Sequence, residues 1–264
     1  MQIDVHVHFD GNARQLKALL KACDKVGTEK LVIFSTKGAC GADNEAVMRA
    51  HKLAPDRIIP FARLVPDVHG PADVRRFHER GFVGFKCIIV RRNYDDHAYY
   101  PLYAAAGECG MPILFHLGIV GRSDREFDVS SDRMRPIFMD TIARAFPELR
   151  IIGAHLGNPW YEEAAMAARW NRNLWFDLSG STLKAKSPQF IRALLWWDRP
   201  NHPYKGHGGK MPWDKICFGT DVSNEWMEDI YNDYVNLCNV LEIGEADRKK
   251  IFGGNAAEVL KLKK

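Results

Sequence analysis

No CxxC pair, no long apolar run and no stripe of basic residues occurs in this chain of 264 residues. Each absence removes a class of function. The six cysteines, Cys23, Cys40, Cys87, Cys109, Cys217 and Cys238, stand alone, several inside apolar runs such as "FKCIIV" and "KICFG". They are expected to be reduced, buried, small hydrophobes, and a chain of this length has no need of disulfide staples. No apolar run reaches the roughly 18 residues of a membrane span, so no membrane association is expected. The first residues lack a basic region followed by a long apolar one, so no signal peptide is expected. With reduced thiols, that leads to an expected cytoplasmic location. The 37 basic and 33 acidic residues leave a net charge of only +4, spread along the chain, which argues against nucleic acid as a partner.

What is present is a globular composition, 46% hydrophobic and 27% charged, enough for a sizeable core. Short β-rich runs alternate with amphipathic stretches along the whole chain. The strand candidates are "IDVHVH", "KLVIFST", "IIPFARL", "FVGFKCIIV", "MPILFHLG", "LRIIGAHLG", "LWFDLSG" and "KICFGTD". Between them lie helical patterns such as "NARQLKALLKACDKVG" and "MRPIFMDTIARAFP", several stopping at a glycine (Gly27, Gly81, Gly110). Regular alternation of strand and helix implies a parallel sheet. Eight units fit a closed (β/α)8 barrel better than an open doubly wound sheet, because no glycine-rich phosphate turn follows the first strand. The segment "GEADRKKIFGGNAAEVLKLKK" reads as two terminal helices. With no linker, repeat or low-complexity segment, residues 1–264 are taken as one barrel domain.

The first strand carries His6 and His8 at a spacing of two, so both side chains face the same way. Two buried imidazoles need either backbone hydrogen bonds or a shared metal ion, and the pair alone leaves both readings open. Three further residues tilt the balance. His116 follows the apolar run of strand five, His155 that of strand six, and Asp221 that of strand eight. Each directly precedes a loop, at the strand ends where barrels of this kind keep their sites. Five potential ligands at one end of a barrel favour metal binding over five separately satisfied polar groups.

The motifs "DVHVHFDG", "FHLG", "AHLGN" and "FGTD", in this order, resemble the amidohydrolase superfamily of metal-dependent barrels. The closing "GGNAAEVLKL" and the segment "GFVGFK" resemble its branch that includes aminocarboxymuconate-semialdehyde decarboxylase and related hydrolases and hydratases. The resemblance spans nearly the whole chain. It implies one divalent ion, zinc by default, held by His6, His8, His116 and Asp221. It also implies His155 as a polarising or acid–base group and Asp221 as the proton acceptor. Two-metal relatives use the strand-six histidine and a carboxylated strand-four lysine; Lys86 keeps that binuclear option open, below its alternative as a cation for a substrate carboxylate.

Such apparatus cleaves amides, esters or lactones by activated water. Decarboxylation or hydration of an unsaturated acid is the alternative on the same frame, and a non-catalytic ligand-binding barrel is the reading from another class. Arg63, Lys86, Arg91, Arg92 and Arg122 lie near strand ends and together point to a small anionic substrate, with Lys86, Arg63 and Arg122 as its contacts. About four residues separate His8 from the first helix, so the mouth is open or covered by a second subunit of a homodimer. The stretch "WDRPNHPYKGHGGKMPWDK" is read as structural or interfacial, with His202 and His207 on the surface, and Trp160 as helix packing.

Overall fold

Eight short apolar segments pair side by side in strictly sequential order, all parallel. The computed structural model describes residues 1–9, 11–36, 44–121, 128–198 and 204–262. The elements run β1 (Ile3–His8), α1 (Ala13–Val26), β2 (Lys30–Phe34), α2 (Asn44–Leu53), β3 (Ile58–Leu64), α3 (Pro71–Glu79), β4 (Gly84–Cys87), α4 (Tyr100–Glu108), β5 (Ile113–Phe115) and α5 (Ile137–Ala145). They continue with β6 (Ile151–Gly153), α6 (Tyr161–Trp170), β7 (Leu174–Asp177), α7 (Thr182–Ala185), α8 (Pro188–Leu194), β8 (Ile216–Cys217), α9 (Met227–Val240), α10 (Glu245–Lys249) and α11 (Asn255–Leu260). This is the expected (β/α)8 barrel. The two expected terminal helices, α10 and α11, join through a π-helical turn at Lys250–Gly254 into one run.

The alternation of side chains across each strand builds two cores. Val32, Phe34, Ile59, Phe61, Leu114, Ile152 and Trp175 fill the barrel. Leu31, Ile33, Leu64, Phe85, Phe115 and Phe176 face outward against the helices. The helices meet them with apolar stripes: α1 buries Leu16, Leu19, Cys23 and Val26, is capped by the Asn12 side chain on Gln15 N, and stops at Gly27 in the left-handed conformation.

One irregularity in this pattern positions the site. Between Asp4 and Val7, β1 advances three residues while β2 advances two, from Leu31 to Ile33. This is a β-bulge, stabilised by the Asp4 carboxylate, which accepts the N–H of His6 at 2.9 Å. The bulge changes the phase of the strand. Val5 joins the barrel interior, whereas Val7 joins the helix-facing core.

The barrel closes between β8 and β1. Val5 N–H donates to Phe218 O (3.0 Å) and Asp221 N–H to His6 O (2.8 Å). Asp4 adds two bonds across the seam, from Thr220 N–H (3.1 Å) and from the Thr220 hydroxyl (2.7 Å). Strand eight is shorter than "KICFGTD" suggested. Phe218 N–H leaves the ladder for Ile251 O, so Asp221 stands four residues beyond β8, not at its last position. His116 and His155 likewise sit just past β5 and β6. From α9, the Tyr234 hydroxyl accepts from Leu178 N and Gly219 N and donates to Cys217 O, tying the loops after β7 and β8 together.

Candidate metal centre and active site

His6 is the hub of the barrel mouth. Its ring is buried, and its Nδ1 lies 2.8 Å from Asp177 Oδ2. A carboxylate can only accept, so Nδ1 carries the proton and Nε2 keeps a lone pair. That lone pair meets Lys86 Nζ at 3.0 Å and Asp221 Oδ1 at 3.3 Å. His8 Nε2 lies 3.0 Å from the same Asp221 oxygen. Burial, reinforced by the Lys86 ammonium, pushes the pKa of His6 down to about 4, so the ring is neutral at pH 7. Burial alone would raise Asp221, but His6, the His8 hydrogen bond and His155 hold its carboxyl well below the usual carboxylate range.

This donor set fits a divalent cation. His6 Nε2 and His8 Nε2 converge on Asp221 Oδ1 at 3.3 and 3.0 Å, with the Lys86 ammonium as the neighbouring positive charge. His6, His8 and Asp221 each offer one ligand atom, all within 4.8 Å of one another, and two imidazoles with a carboxylate are ordinary zinc donors. Asp177 orients His6 from behind, as outer-shell carboxylates do for metal-ligating histidines.

His116 stands beside this group. Its ring packs edge-on against His155, with centroids 5.1 Å apart. Its Nε2 lies 3.3 Å from Ile119 O, which leaves the lone pair on Nδ1. Burial, with His155 and Lys86 nearby, holds its pKa well below the ordinary value. Among the described residues it does not fall within the 4.8 Å ligand groups. The turn after it is tight: Gly118 has φ +102, and a Cβ there would come within 1.9 Å of Asn158 O. Only glycine lets the loops after β5 and β6 approach so closely.

His155 Nε2 lies 3.6 Å from Asp221 Oδ2, and the His155 and His6 rings are 5.1 Å apart. Both His155 (φ 60) and Asp221 (φ 51) occupy the left-handed region, unusual for side chains other than glycine. Each is held there by its surroundings. The His155 N–H donates to Asp177 Oδ1 at 2.8 Å, its carbonyl accepts from Thr182 Oγ1 at 2.9 Å, and the Asp221 N–H donates to His6 O. Such strain at two facing positions is typical of functional sites.

Lys86 is fully buried in β4, over the Phe34 ring at 5.0 Å, and desolvation lowers its pKa to about 8. Arg63 is also buried, within β3; its guanidinium donates to Thr36 O at 2.6 Å, and Thr36 Oγ1 reaches His8 Nδ1 at 3.1 Å. Arg91 is exposed, and Arg92 pairs with Asp96 on the surface at 3.5 Å. Arg122 and His202 lie outside the described residues; His207 is exposed, as expected. Trp160 lies under the Arg135 guanidinium, 5.4 Å away. A cavity of about 290 Å³ opens beside His8 and Asp221, lined also by Phe9, Gln15, Thr36, Val222 and Ser223.

Sequence reasoning missed Asp177, Ser179, Asp4 and Thr36. For Asp177 the signal existed: "LWFD" is an apolar run ending in a polar residue before a loop, the same pattern that singled out His116, His155 and Asp221. Asp4 and Thr36 carry no such signal, because Thr220, which Asp4 holds across the seam, and His8 and Arg63, which meet Thr36, are distant in sequence.

A family described as Amidohydrolase matches residues 3–262. No curated protein matches the sequence. Among solved structures, 2,6-dihydroxybenzoate decarboxylase from Rhizobium is similar with a TM-score of 0.69 at 17% identity, covering 99% of this chain and 98% of that one. A probable 2-pyrone-4,6-dicarboxylic acid hydrolase from Acinetobacter baumannii, with citric acid bound, gives 0.67 at 13% identity over 99% of both chains. The 5-carboxyvanillate decarboxylase of Novosphingobium aromaticivorans, with bound manganese and 3-methoxy-4-hydroxy-5-nitrobenzoic acid, gives 0.66 at 14% identity, covering 99% of this chain and 97% of that one. At these identities the likeness is one of fold.

Proposed function

The chain belongs to the amidohydrolase family, and from that premise we propose that it is a metal-dependent hydrolase cleaving an amide, ester or lactone of a small carboxylate-bearing substrate. The observation that carries this reading is the meeting of His6 Nε2, His8 Nε2 and Asp221 Oδ1 at 3.0–3.3 Å, with two of the three facing each other as acceptors. His6, His8 and Asp221 hold the ion, and His116 is the fourth ligand. Zinc suits the donors; manganese, bound in one structural neighbour, is the other divalent ion to test. When bound, such an ion supplies Lewis acidity and brings the pKa of a coordinated water towards about 7.

The chain's own residues do the rest. Asp221, ionised and in contact with the ligand histidines, accepts a proton and returns it to the leaving group. His155, on the opposite wall, polarises the reacting group or exchanges a proton with it. Lys86, cationic at neutral pH and screened from solvent, orients a substrate carboxylate. Arg63 and Arg122 complete the proposed anion contacts, Arg63 acting from behind Thr36.

Decarboxylation on the same frame is the second reading, supported by decarboxylases among the structural neighbours. The test is elemental analysis of purified protein, followed by a screen of the metal-loaded enzyme for ester, lactone and amide cleavage and for carbon dioxide release. About one divalent ion per chain with hydrolytic turnover supports the hydrolase. Carbon dioxide release without hydrolysis moves the reading to the decarboxylase. A protein that binds no zinc or manganese overturns both, and a count near two reassigns Lys86 to a second ion.

A further inference from the structure

The hydroxyl of Ser179, just beyond β7, touches two of the histidines of the mouth, His6 and His155. Its Oγ lies close to Asp177 Oδ1, 2.9 Å from His155 Nδ1 and 3.3 Å from His6 Nδ1. The protons around it can be counted. Asp177 receives four donors: His6 Nδ1–H on Oδ2, and the N–H groups of His155 and Ser179 together with the Ser179 hydroxyl on Oδ1. A carboxylate with four donors is ionised and only accepts. The single hydroxyl proton of Ser179 is therefore spent on Asp177, and its oxygen has only lone pairs left for His155. The second neighbour of His155 Nδ1 is the Ser179 carbonyl at 3.4 Å, another group that only accepts. Both neighbours demand a proton on Nδ1.

We propose that Ser179 is a positioning residue that fixes the tautomer of His155, with the proton on Nδ1 and a lone pair on Nε2 facing the reaction space. A neutral His155 then enters the reaction as a proton acceptor at Nε2. It becomes a donor there only after taking up a proton, which narrows its two possible roles to acid–base exchange. The geometry of β7 thus sets both imidazoles alike: Asp177 presents the Nε2 lone pair of His6, and Asp177 through Ser179 presents that of His155. The catalytic consequence rests on the function proposed above; the tautomer does not.

The test is long-range proton–nitrogen correlation on histidine-15N-labelled full-length protein, purified as expressed, with His155 assigned by comparison with His155→Asn. The expected result is a protonated Nδ1 and an unprotonated Nε2 in the parent. Ser179→Ala is expected to mix the tautomers or shift the proton to Nε2, and Ser179→Thr, which keeps the hydroxyl, to restore the parent signature. A parent with its proton on Nε2 overturns the proposal, as does a Ser179→Ala spectrum identical to the parent. On the enzyme, Ser179→Ala is expected to lower kcat roughly 10- to 100-fold, in the range of outer-shell changes at such sites, with KM little altered. If the tautomer is as stated but no hydrolysis or decarboxylation is found, the functional reading fails and the positioning role stands.

Discussion

The two ends of the barrel bury polar side chains for different purposes. At the end where the strands begin, the buried Lys215, Asn173 and Asn255 bond to backbone carbonyls. Lys215 Nζ donates to Asn171 O and Arg172 O, Asn173 to the carbonyls of Ala143, Phe146 and Leu149, and Asn255 to those of Trp213 and Ile216. At the mouth, buried side chains bond to one another: His6 to Asp177 and Lys86, Ser179 to His155 and Asp177, Asp4 to Thr220. Side chains that satisfy loop carbonyls hold a fold together. Titratable side chains that satisfy each other, and converge on one point with lone pairs unspent, hold a site. The difference teaches that burial alone is no guide to function here; the partner of the buried group is.

That contrast can be broken by substitution at either end. The largest effect is expected for Asp221→Asn, which keeps the shape but cannot take a proton at neutral pH. In a fully metallated sample kcat should fall about 10²–10⁴-fold with KM nearly unchanged. Near-normal kcat would leave Asp221 a ligand at most. His155→Asn should follow, keeping the metal while losing most of the activity; metal loss as severe as in His116→Ala would make His155 a required ligand. Asp177→Asn should weaken metal affinity roughly 10- to 100-fold, because the amide no longer fixes the proton of His6 on Nδ1. A metal titration of the variant checks this.

Acid should separate the two ends without mutation. The pKa of His6 in the folded chain is about 4 against an ordinary 6.5, so the unfolded chain takes up the proton first. Its contribution to stability is complete above about pH 6.5 and is lost as pH falls from there through 4. Bound ion should be released only as pH falls to about 4 and below, where His6 of the folded chain takes up its proton; metal content after dialysis across this range reads it directly. Retention of the full complement well below pH 4 would remove His6 from the ligand set. The smallest effect belongs to the opposite end. Lys215→Met keeps an apolar stem near the Trp175 ring but removes a donor from two carbonyls, leaving Asn171 O with the Leu174 N–H alone. Loss of the donor to Arg172 O should cost about 1–3 kcal/mol in denaturant unfolding, with kcat and metal content unchanged. A change in metal content would show the ends to be coupled.

Much of this site was legible because it obeys local rules. His6 and His8 share a face by spacing, and His116, His155 and Asp221 each close an apolar run before a loop. Lys86 stood out as a cation inside an apolar strand. Less legible was where strands end: the ladder of β8 stops at Cys217 because Phe218 turns its N–H to Ile251, a partner from the terminal helices that no local pattern announces. Arg63 read as a substrate contact near a strand end, yet it lies within β3 and its guanidinium donates to Thr36 O. Ser179 lay unremarked in the strand candidate "LWFDLSG", since nothing in "DLSG" tells that its hydroxyl lies between Asp177 and His155.

Local pattern by itself determined the alternation of eight strands with helices, the end of the barrel at which the site forms, and most of the residues that meet there. Periodicity and chain punctuation encode those things within a few residues. Only the tertiary structure decided the phase of β1, the partner of each ring nitrogen and the crowding of His6, Lys86 and Asp221 around one point. The bond between His6 and Asp177 joins residues 171 positions apart. Such a contact exists only once the barrel has closed, because closure brings the first strand and the last two together at its mouth.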